Sequence, residues 1–248
     1  MRAEPPGVRH IALPSTDSTN AEALRRARQG EAGPLWITAA IQTAGRGRGG
    51  NAWVSQPGNL FATFLLREPS LPPAAPQLAF VTGLAVHDAV AACAPNLGPA
   101  LQLKWPNDLL CNGRKLAGLL IEAENAPVFA AAVGVGINCV SHPPNATFPA
   151  TDLKSEGAHV TAATLFAALA ETMRSRLTQW ARGEGFASVR ADWLKRAAGL
   201  GEPVKVRLPD RQLAGRFSGV DESGRLLLET AGKIEAITAG EVFALGAA

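Results

Sequence analysis

Between Gln42 and Asn59 the chain reads Gln-Thr-Ala-Gly-Arg-Gly-Arg-Gly-Gly-Asn-Ala-Trp-Val-Ser-Gln-Pro-Gly-Asn, a set of residue types suited to holding an anion. Gly45, Gly47, Gly49 and Gly50 alternate with Arg46 and Arg48, and Trp53 follows. Glycines let the backbone bend sharply, approach a ligand closely and aim successive N–H groups at a negative charge. Guanidinium groups add forked donors that match carboxylate or phosphate oxygens. A loop of this kind orders when it closes on something negatively charged. The same composition also suits a basic hairpin tip or an arginine–glycine contact to nucleic acid, and the loop taken alone leaves these open.

Three further segments carry chemistry: Lys104-Trp105-Pro106-Asn107-Asp108, Gly113-Arg114-Lys115-Leu116-Ala117-Gly118 and Gly134-Val135-Gly136-Ile137-Asn138. Ser18-Thr19-Asn20 lies upstream of them, where the hydroxyls could also cap the helix that follows. Asn112-Gly113 is a strong signal for a hairpin with a type I′ turn. A regular ladder from that turn pairs Leu110 with Lys115 and Asp108 with Ala117. Asp108 and Lys115 then leave the same face as diagonal neighbours. A lysine on a partly buried face gains from such a carboxylate; the alternative is a side chain that extends from the strand edge to solvent.

The elements that must position these groups can be read from periodicity. Val8 to Leu13 is a first strand, Asn20 to Gln29 an alanine- and arginine-rich helix ended by Gly30, and Leu35 to Ile41 a strand feeding the glycine–arginine loop. Leu60 to Leu66 is a strand, and Gln77 to Cys93 has the helical period of a segment packed on a sheet. Leu101 to Lys104 is a short strand; Asp108 to Cys111 and Arg114 to Glu122 form the hairpin; Val128 to Cys139 is a continuous apolar strand. Pro143 to Pro149 reads as loop, Thr161 to Trp180 and Phe186 to Ala198 as helices. After Gly199 the texture changes to five short strands, Pro203 to Leu208, Gln212 to Val220, Arg225 to Glu229, Lys233 to Ala239 and Val242 to Leu245, as in a small SH3-like barrel. The expected organisation is α+β: a mixed β-sheet flanked by helices over residues 1–199, with a C-terminal SH3-like β-barrel over residues 200–248.

Composition narrows the function classes. With 248 residues and 47% apolar content the chain can bury a substantial core. A net charge of +3 and a pI near 9.0 are mildly basic and fall short of a dedicated DNA binder. The start of the chain lacks the apolar core of a signal peptide, and the longest apolar stretch, Leu78 to Cys93, is interrupted by Gly83, His87 and Asp88. Cys93, Cys111 and Cys139 are widely spaced and read as buried thiols in a reducing cytoplasm. The four histidines, His10, His87, His142 and His159, show no metal spacing.

Taken together and in order, the four segments and Ser18-Thr19-Asn20 resemble biotin protein ligase, from about Ile11 to Phe243. The resemblance implies a biotin/lipoyl ligase-like catalytic domain and an enzyme that uses ATP to make biotinyl-5′-AMP. Biotin then passes to a lysine of the biotin carboxyl carrier protein or domain of acetyl-CoA carboxylase and other biotin-dependent carboxylases. It implies catalytic roles for Lys115 and Arg48. Biotin would meet Ser18, Thr19, Asn20, Gln42, Gly45, Arg46, Gly47, Arg48, Lys115, Gly118 and Gly136. ATP would meet Arg48, Asn51, Trp53, Asn107, Asp108, Lys115, Ile137 and Asn138, and Asp108 would support either bound Mg2+ or Lys115. Many relatives carry a further arginine where this chain has Asn51, which removes one charge near the phosphates. Bifunctional relatives add an N-terminal winged-helix repressor domain, for which a first strand near Val8 leaves no room, so specific DNA binding is not expected. A homodimer is compatible with the resemblance, and a membrane role is not expected.

Two other readings stand beside this one. The nearest is a lipoate ligase or a lipoyl/octanoyl transferase of the same fold, against which the Gly-Arg-Gly-Arg loop and Lys-Trp-Pro-Asn-Asp together favour biotin. The other is a binding protein whose barrel recruits a partner or whose basic loop holds nucleic acid. Interleaved aromatics would support that, and only Trp53 stands near the loop.

Overall fold

Strand-forming and helix-forming stretches alternate through most of the chain, and a computed structural model, describing residues 8–69, 72–125, 128–144 and 148–244, shows how they assemble. β1 (Arg9–Leu13) leads through α1 (Thr19–Arg28) to β2 (Leu35–Ala39), and β3 is Leu60–Arg67. Then come α2 (Leu78–Cys93), β4 (Leu101–Lys104), β5 (Asp108–Cys111), β6 (Arg114–Asn125), β7 (Phe129–Ile137), α3 (Ala162–Trp180) and α4 (Phe186–Leu194). The strands form one seven-stranded sheet in the order β1-β2-β3-β7-β6-β5-β4. β1 and β2 pair in parallel, as a strand–helix–strand crossover requires, and the other neighbours are antiparallel. Leu245 and the middle of the 143–149 loop lie outside the described residues.

The two faces of the sheet are covered unequally. Ala23, Leu24 and Ala27 of α1 pack on Leu35, Ile37, Leu65, Ala130 and Ala132. On the other face α2 is buried along most of its length, with Phe80, Val81, Leu84, Ala85, Val86, Ala89 and Val90 in the main core. A helix apolar on every side belongs inside a protein or a membrane. By length and composition Ala74–Cys93 would pass as a membrane span; here α3 and α4 cover α2, and the sheet takes its inner side. Asp88 is the one carboxylate of α2, and Arg176 from α3 meets it at 2.6 Å. Burial pushes the thiols of Cys111 and Cys139 up to about 11, which keeps both protonated and unreactive near neutral pH.

The β5–β6 hairpin turns at Asn112 (φ 50°) and Gly113 (φ 71°), the two positive values a type I′ turn demands. Leu110 faces Lys115 as expected. The next pair departs from the regular ladder: Leu109 faces Ala117, and Asp108 faces Gly118 rather than Ala117. A β-bulge absorbs one extra residue, Leu116, whose side chain is fully buried in the core. The outer side of Lys115 is also paired, its N–H donating to Pro149 O (2.7 Å) and its carbonyl accepting from Thr151 N (2.9 Å).

α4 ends at Leu194, earlier than the helical pattern extends, because the open edge of β4 recruits the chain that follows. Leu103 N donates to Arg196 O at 2.7 Å and Ala198 N to Leu103 O at 2.8 Å. β8 (Pro203–Arg207), β9 (Gln212–Val220), β10 (Leu226–Thr230), β11 (Lys233–Ile237) and β12 (Glu241–Ala244) then make an antiparallel five-stranded sheet in the order β11-β10-β9-β8-β12. Val204, Val206, Phe217, Leu226 and Leu228 form its inside, continuous with the main core. The β9–β10 turn is the docking point: Trp105 Nε1 donates to Gly224 O at 3.1 Å. A Cβ at Gly224 (φ +83°) would lie 2.8 Å from the Phe80 ring, so the approach needs glycine on two counts.

Candidate active site

The glycine–arginine loop, the N-terminus of α1, the middles of β6 and β7, the β4–β5 turn and the rim of the small sheet surround a cavity of about 740 Å³. Its two ends differ in chemistry. At the α1 end the polar groups that line the cavity, apart from Arg46 on the rim, are neutral and mostly satisfied by one another. Thr19 N and Oγ1 donate to Gln42 Oε1 (2.9 and 3.1 Å), and Gln42 Nε2 donates to Ser55 Oγ (3.0 Å). Thr63 Oγ1 lies 2.8 Å from Thr19 Oγ1 and 2.7 Å from Asn20 Oδ1. Asn20 Nδ2 donates to Leu120 O (3.0 Å) and Glu122 Oε2 (2.9 Å), so this amide is spent on the scaffold. Ser18 is different. It occupies the N-cap position of α1 but makes no capping hydrogen bond, and its side chain lines the cavity.

The other end is cationic and partly dry. Lys115 Nζ lies 2.7 Å from Asp108 Oδ1, and Lys104 Nζ lies 3.8 Å from Asp108 Oδ2. Asp108 Oδ1 accepts no hydrogen bond of good geometry despite that contact, so the lysine meets it as an ion pair. The Lys104 side chain is only 10% exposed; burial holds its ammonium below the ordinary lysine range, with Asp108 acting in the opposite direction. Lys104 Nζ sits 3.8 Å from the Phe148 ring centroid and 5.4 Å from that of Phe243. Arg48 reaches in from the loop, Nη1 donating to Asn107 Oδ1 (3.3 Å) and Gly240 O (3.4 Å). Burial lowers its pKa too, opposed by Asp108 and Glu241. Asn107 is held in turn by β6, its Nδ2 donating to Leu119 O at 2.7 Å.

Trp53 joins the two ends. Gly118 and Gly136 face each other across β6 and β7. A Cβ on either would strike the indole, at 2.7 Å and 2.5 Å. The flat ring can lie on the sheet only because both positions lack a side chain. These glycines were expected to let the backbone approach a ligand, and in this structure the space above them holds Trp53. The indole Nε1 is buried without a hydrogen-bond partner.

Of the residues the sequence singled out, Ser18, Thr19, Asn20, Gln42, Arg46, Gly47, Arg48, Asn51, Trp53, Asn107, Asp108, Lys115, Gly118 and Gly136 line the cavity. Arg46 turns along its rim and meets Glu122 at 3.1 Å. Gly45, Ile137 and Asn138 lie behind the wall. Gly45 accepts from Trp53 N at 2.9 Å at the loop's base, Ile137 is fully buried in the core, and Asn138 is buried with Nδ2 donating to Thr151 O at 3.0 Å. Sequence reasoning passed over Lys104, Phe148, Arg207, Glu241 and Phe243, which also line the cavity. Lys104 had a signal, since it opens the Lys-Trp-Pro-Asn-Asp segment. The residues from the small sheet had none, because only docking brings them near.

Asp108 is the residue that would hold Mg2+ together with substrate phosphates, a mode of binding that needs no all-protein cage. No group of three or more His, Cys, Asp or Glu comes together among the described residues, and Asp108, the one cavity carboxylate at this end of the catalytic sheet, faces two ammonium groups.

Comparison with known proteins places this geometry. Residues 12–138 match the biotin/lipoate A/B protein ligase family, and residues 199–245 match the biotin protein ligase C-terminal domain. The chain is 42% identical to the biotin–[acetyl-CoA-carboxylase] ligase of Paracoccus denitrificans over 93% of its own length and 98% of the relative's. It is 34% identical to the enzyme of the same description from Mycobacterium tuberculosis, over 92% of this chain and 85% of that one. The solved biotin protein ligase of Aquifex aeolicus in complex with biotin and ATP superposes with a TM-score of 0.81 at 28% identity, covering 95% and 97% of the two chains.

Proposed function

The chain belongs to the biotin protein ligases of the biotin/lipoate A/B protein ligase family, and from that premise we infer how its residues divide the work. It is an ATP-dependent ligase that forms biotinyl-5′-AMP and transfers biotin to a lysine of biotin carboxyl carrier protein. The observation that carries our residue assignment is a single cavity joining a neutral, hydrogen-bonding end to a buried cationic end. Biotin's ureido ring, with one carbonyl and two N–H groups, suits Ser18 and the Thr19–Gln42 pair. The indole of Trp53 supplies a flat apolar wall beside them. The carboxylate and the triphosphate suit Arg48, Lys104 and Lys115.

Chemistry follows from charge. A carboxylate oxygen attacks the α-phosphorus, the bond to the bridging oxygen breaks, and pyrophosphate leaves. The two reactants are both anions, so fixed positive charge where they meet lowers the barrier. Lys115 takes that place in our reading, with Asp108 as the counter-ion that orients it. Arg48 lies over the same end and holds the adenylate until the carrier arrives. The neutral amine of the carrier lysine then attacks the acyl carbon, and AMP departs. No step is assigned to a metal.

Further parts of the reading are ours as well. We set the boundary between catalytic and C-terminal domains after Gly199, just ahead of the small sheet, which begins at Pro203. Acceptors extend to carrier domains of other biotin-dependent carboxylases, and the setting is a reducing cytoplasm, consistent with free Cys93, Cys111 and Cys139. Specific DNA contact is not part of it, because the cavity and local ion pairs such as Arg25–Asp17 and Arg28–Glu124 engage much of the positive charge.

Exchange of labelled pyrophosphate into ATP tests the assignment. Exchange should depend on biotin and be weak with lipoate or octanoate. Exchange with lipoate and not biotin would reject it.

A further inference from the structure

Two side chains behind the cavity wall, those of Asn138 and Glu156, converge on Thr151, whose N–H donates to the carbonyl of Lys115. Asn138 closes the Gly-Val-Gly-Ile-Asn segment but is buried behind the wall. Its Nδ2 donates to Thr151 O, its backbone N–H to Leu116 O, and its carbonyl accepts from Leu153 N, each at 3.0 Å. Glu156 has a side chain only 5% exposed. Its carboxylate accepts from Arg114 Nη2 (2.6 Å), Asn112 Nδ2 (2.8 Å) and Thr151 Oγ1 (2.6 Å). One carboxylate therefore ties the hairpin turn to Thr151. Asn138 ties Thr151 to the end of β7. Between them runs the segment whose Pro149 O and Thr151 N hold the two backbone polar groups of Lys115.

We propose that Asn138 and Glu156 are positioning residues for Lys115. They lock the strap of residues 149–156 against the β5–β6 hairpin, and the strap fixes the bulge that aims the Lys115 ammonium at Asp108 and the reacting phosphate. The proposal rests on the ligase reading for the role of Lys115. Both backbone polar groups of Lys115 point to the strap and none to β5, and the β5–β6 ladder is itself interrupted by the adjoining bulge. The strap therefore supplies all the backbone hydrogen bonding of this residue. A buried carboxylate is costly unless its lone pairs are met, and Glu156 is met by donors from both pieces it joins. The same three bonds that satisfy Glu156 thus make its desolvation conditional on the strap being closed.

A double-substitution cycle in the full-length enzyme tests this. Glu156→Ala and Asn138→Ala should each lower kcat for biotin-dependent pyrophosphate exchange by roughly 10- to 100-fold with KM for biotin little changed, as for a group displaced by about 1 Å. Thr151→Val removes one hydroxyl while keeping shape, and should give a smaller loss of the same kind, on the order of threefold. Repeated in a Lys115→Ala background, each substitution should change the residual rate by less than about twofold, because the residue it acts through is gone. Equal losses in both backgrounds would overturn the proposal. Hydrogen exchange of the empty protein reads the same restraint without catalysis. The amides of Lys115 and Thr151 should exchange faster in Glu156→Ala and Thr151→Val, and unchanged protection would also overturn it. If the wild-type protein exchanges pyrophosphate with lipoate instead of biotin, the ligase reading falls, while the cycle run with lipoate and the amide protection still judge the brace.

Discussion

Lys115 and Arg48 reach the same cavity from backbones of opposite character. Lys115 sits in a hairpin whose turn, bulge and outer strap are all bonded to the body of the protein. Arg48 sits in a loop whose backbone bonds are local: Gly47 N to Asn51 O (2.7 Å), Asn51 N to Arg48 O (3.2 Å) and Trp53 N to Gly45 O (2.9 Å). Gly49 and Gly50 have positive φ, and a Cβ at either would meet open space. Near its tip the loop is fastened to the body by its arginine side chains, Arg48 to Asn107 and Gly240, and Arg46 to Glu122. Those are the groups an anionic ligand would claim. The loop cations are met by weak acceptors and by one carboxylate, which a phosphate can replace. One charge is held by the scaffold of the sheet; the other rests on side-chain contacts of a glycine-rich loop.

The sharpest test of the contrast is Lys115→Ala. Removing a preorganised cation should slow adenylate formation by about 10²- to 10³-fold while biotin binding suffers less. Equal losses in binding and rate would make Lys115 a plain affinity residue, and the distinction from Arg48 would collapse. Arg48→Gly comes next. It should leave adenylate formation partly active but hasten escape of the intermediate roughly 10- to 100-fold, one lost charge-assisted contact being worth about 1.5–3 kcal/mol. Biotinylation of bystander proteins should then rise while transfer to the carrier falls. Trapping of released adenylate decides it, and release no faster than wild type would mean that the loop is not a lid.

Asn51→Arg sharpens the comparison from the other direction. It adds a cation to the loop, and nucleotide binding measured by calorimetry should tighten by about tenfold or less. The smallest effect expected is a pH dependence that separates lysine from arginine. Burial lowers the Lys104 pKa below its usual 10.5, so raising the pH removes this charge first while Arg48 stays charged. Below its folded pKa the buried ammonium is disfavoured in the native state. As pH rises through that value toward 10.5, the cost to folding is relieved, and the contribution to phosphate binding disappears. Nucleotide affinity should fall by a few-fold over that window, and Lys104→Arg should abolish the fall. A fall that persists in Lys104→Arg would place the titrating group elsewhere.

What the amino-acid sequence determined by itself is the local chemistry. Alternating glycine and arginine put two cations and a flexible backbone in one loop, Asn112-Gly113 specifies a type I′ turn, and the apolar run of Leu78–Cys93 specifies a core helix, because each depends on residues within a few positions of one another. The pairing of Asp108 with Lys115 was legible for the same reason, although by a different register. The bulge at Leu116 was not, since it answers to core packing beneath the strand and to the strap outside it. Nor was the seat of Trp53 on Gly118 and Gly136, or the recruitment of Phe243, Glu241 and Arg207 from the small sheet to a cavity built by β4, β5 and β6. Nor was the place of Asn138, a motif residue buried behind the cavity wall and bonded to Thr151. Those arrangements join segments far apart in the chain. They are decided by which faces bury apolar surface together and which buried polar groups then find partners, and neither is settled until the sheets have packed.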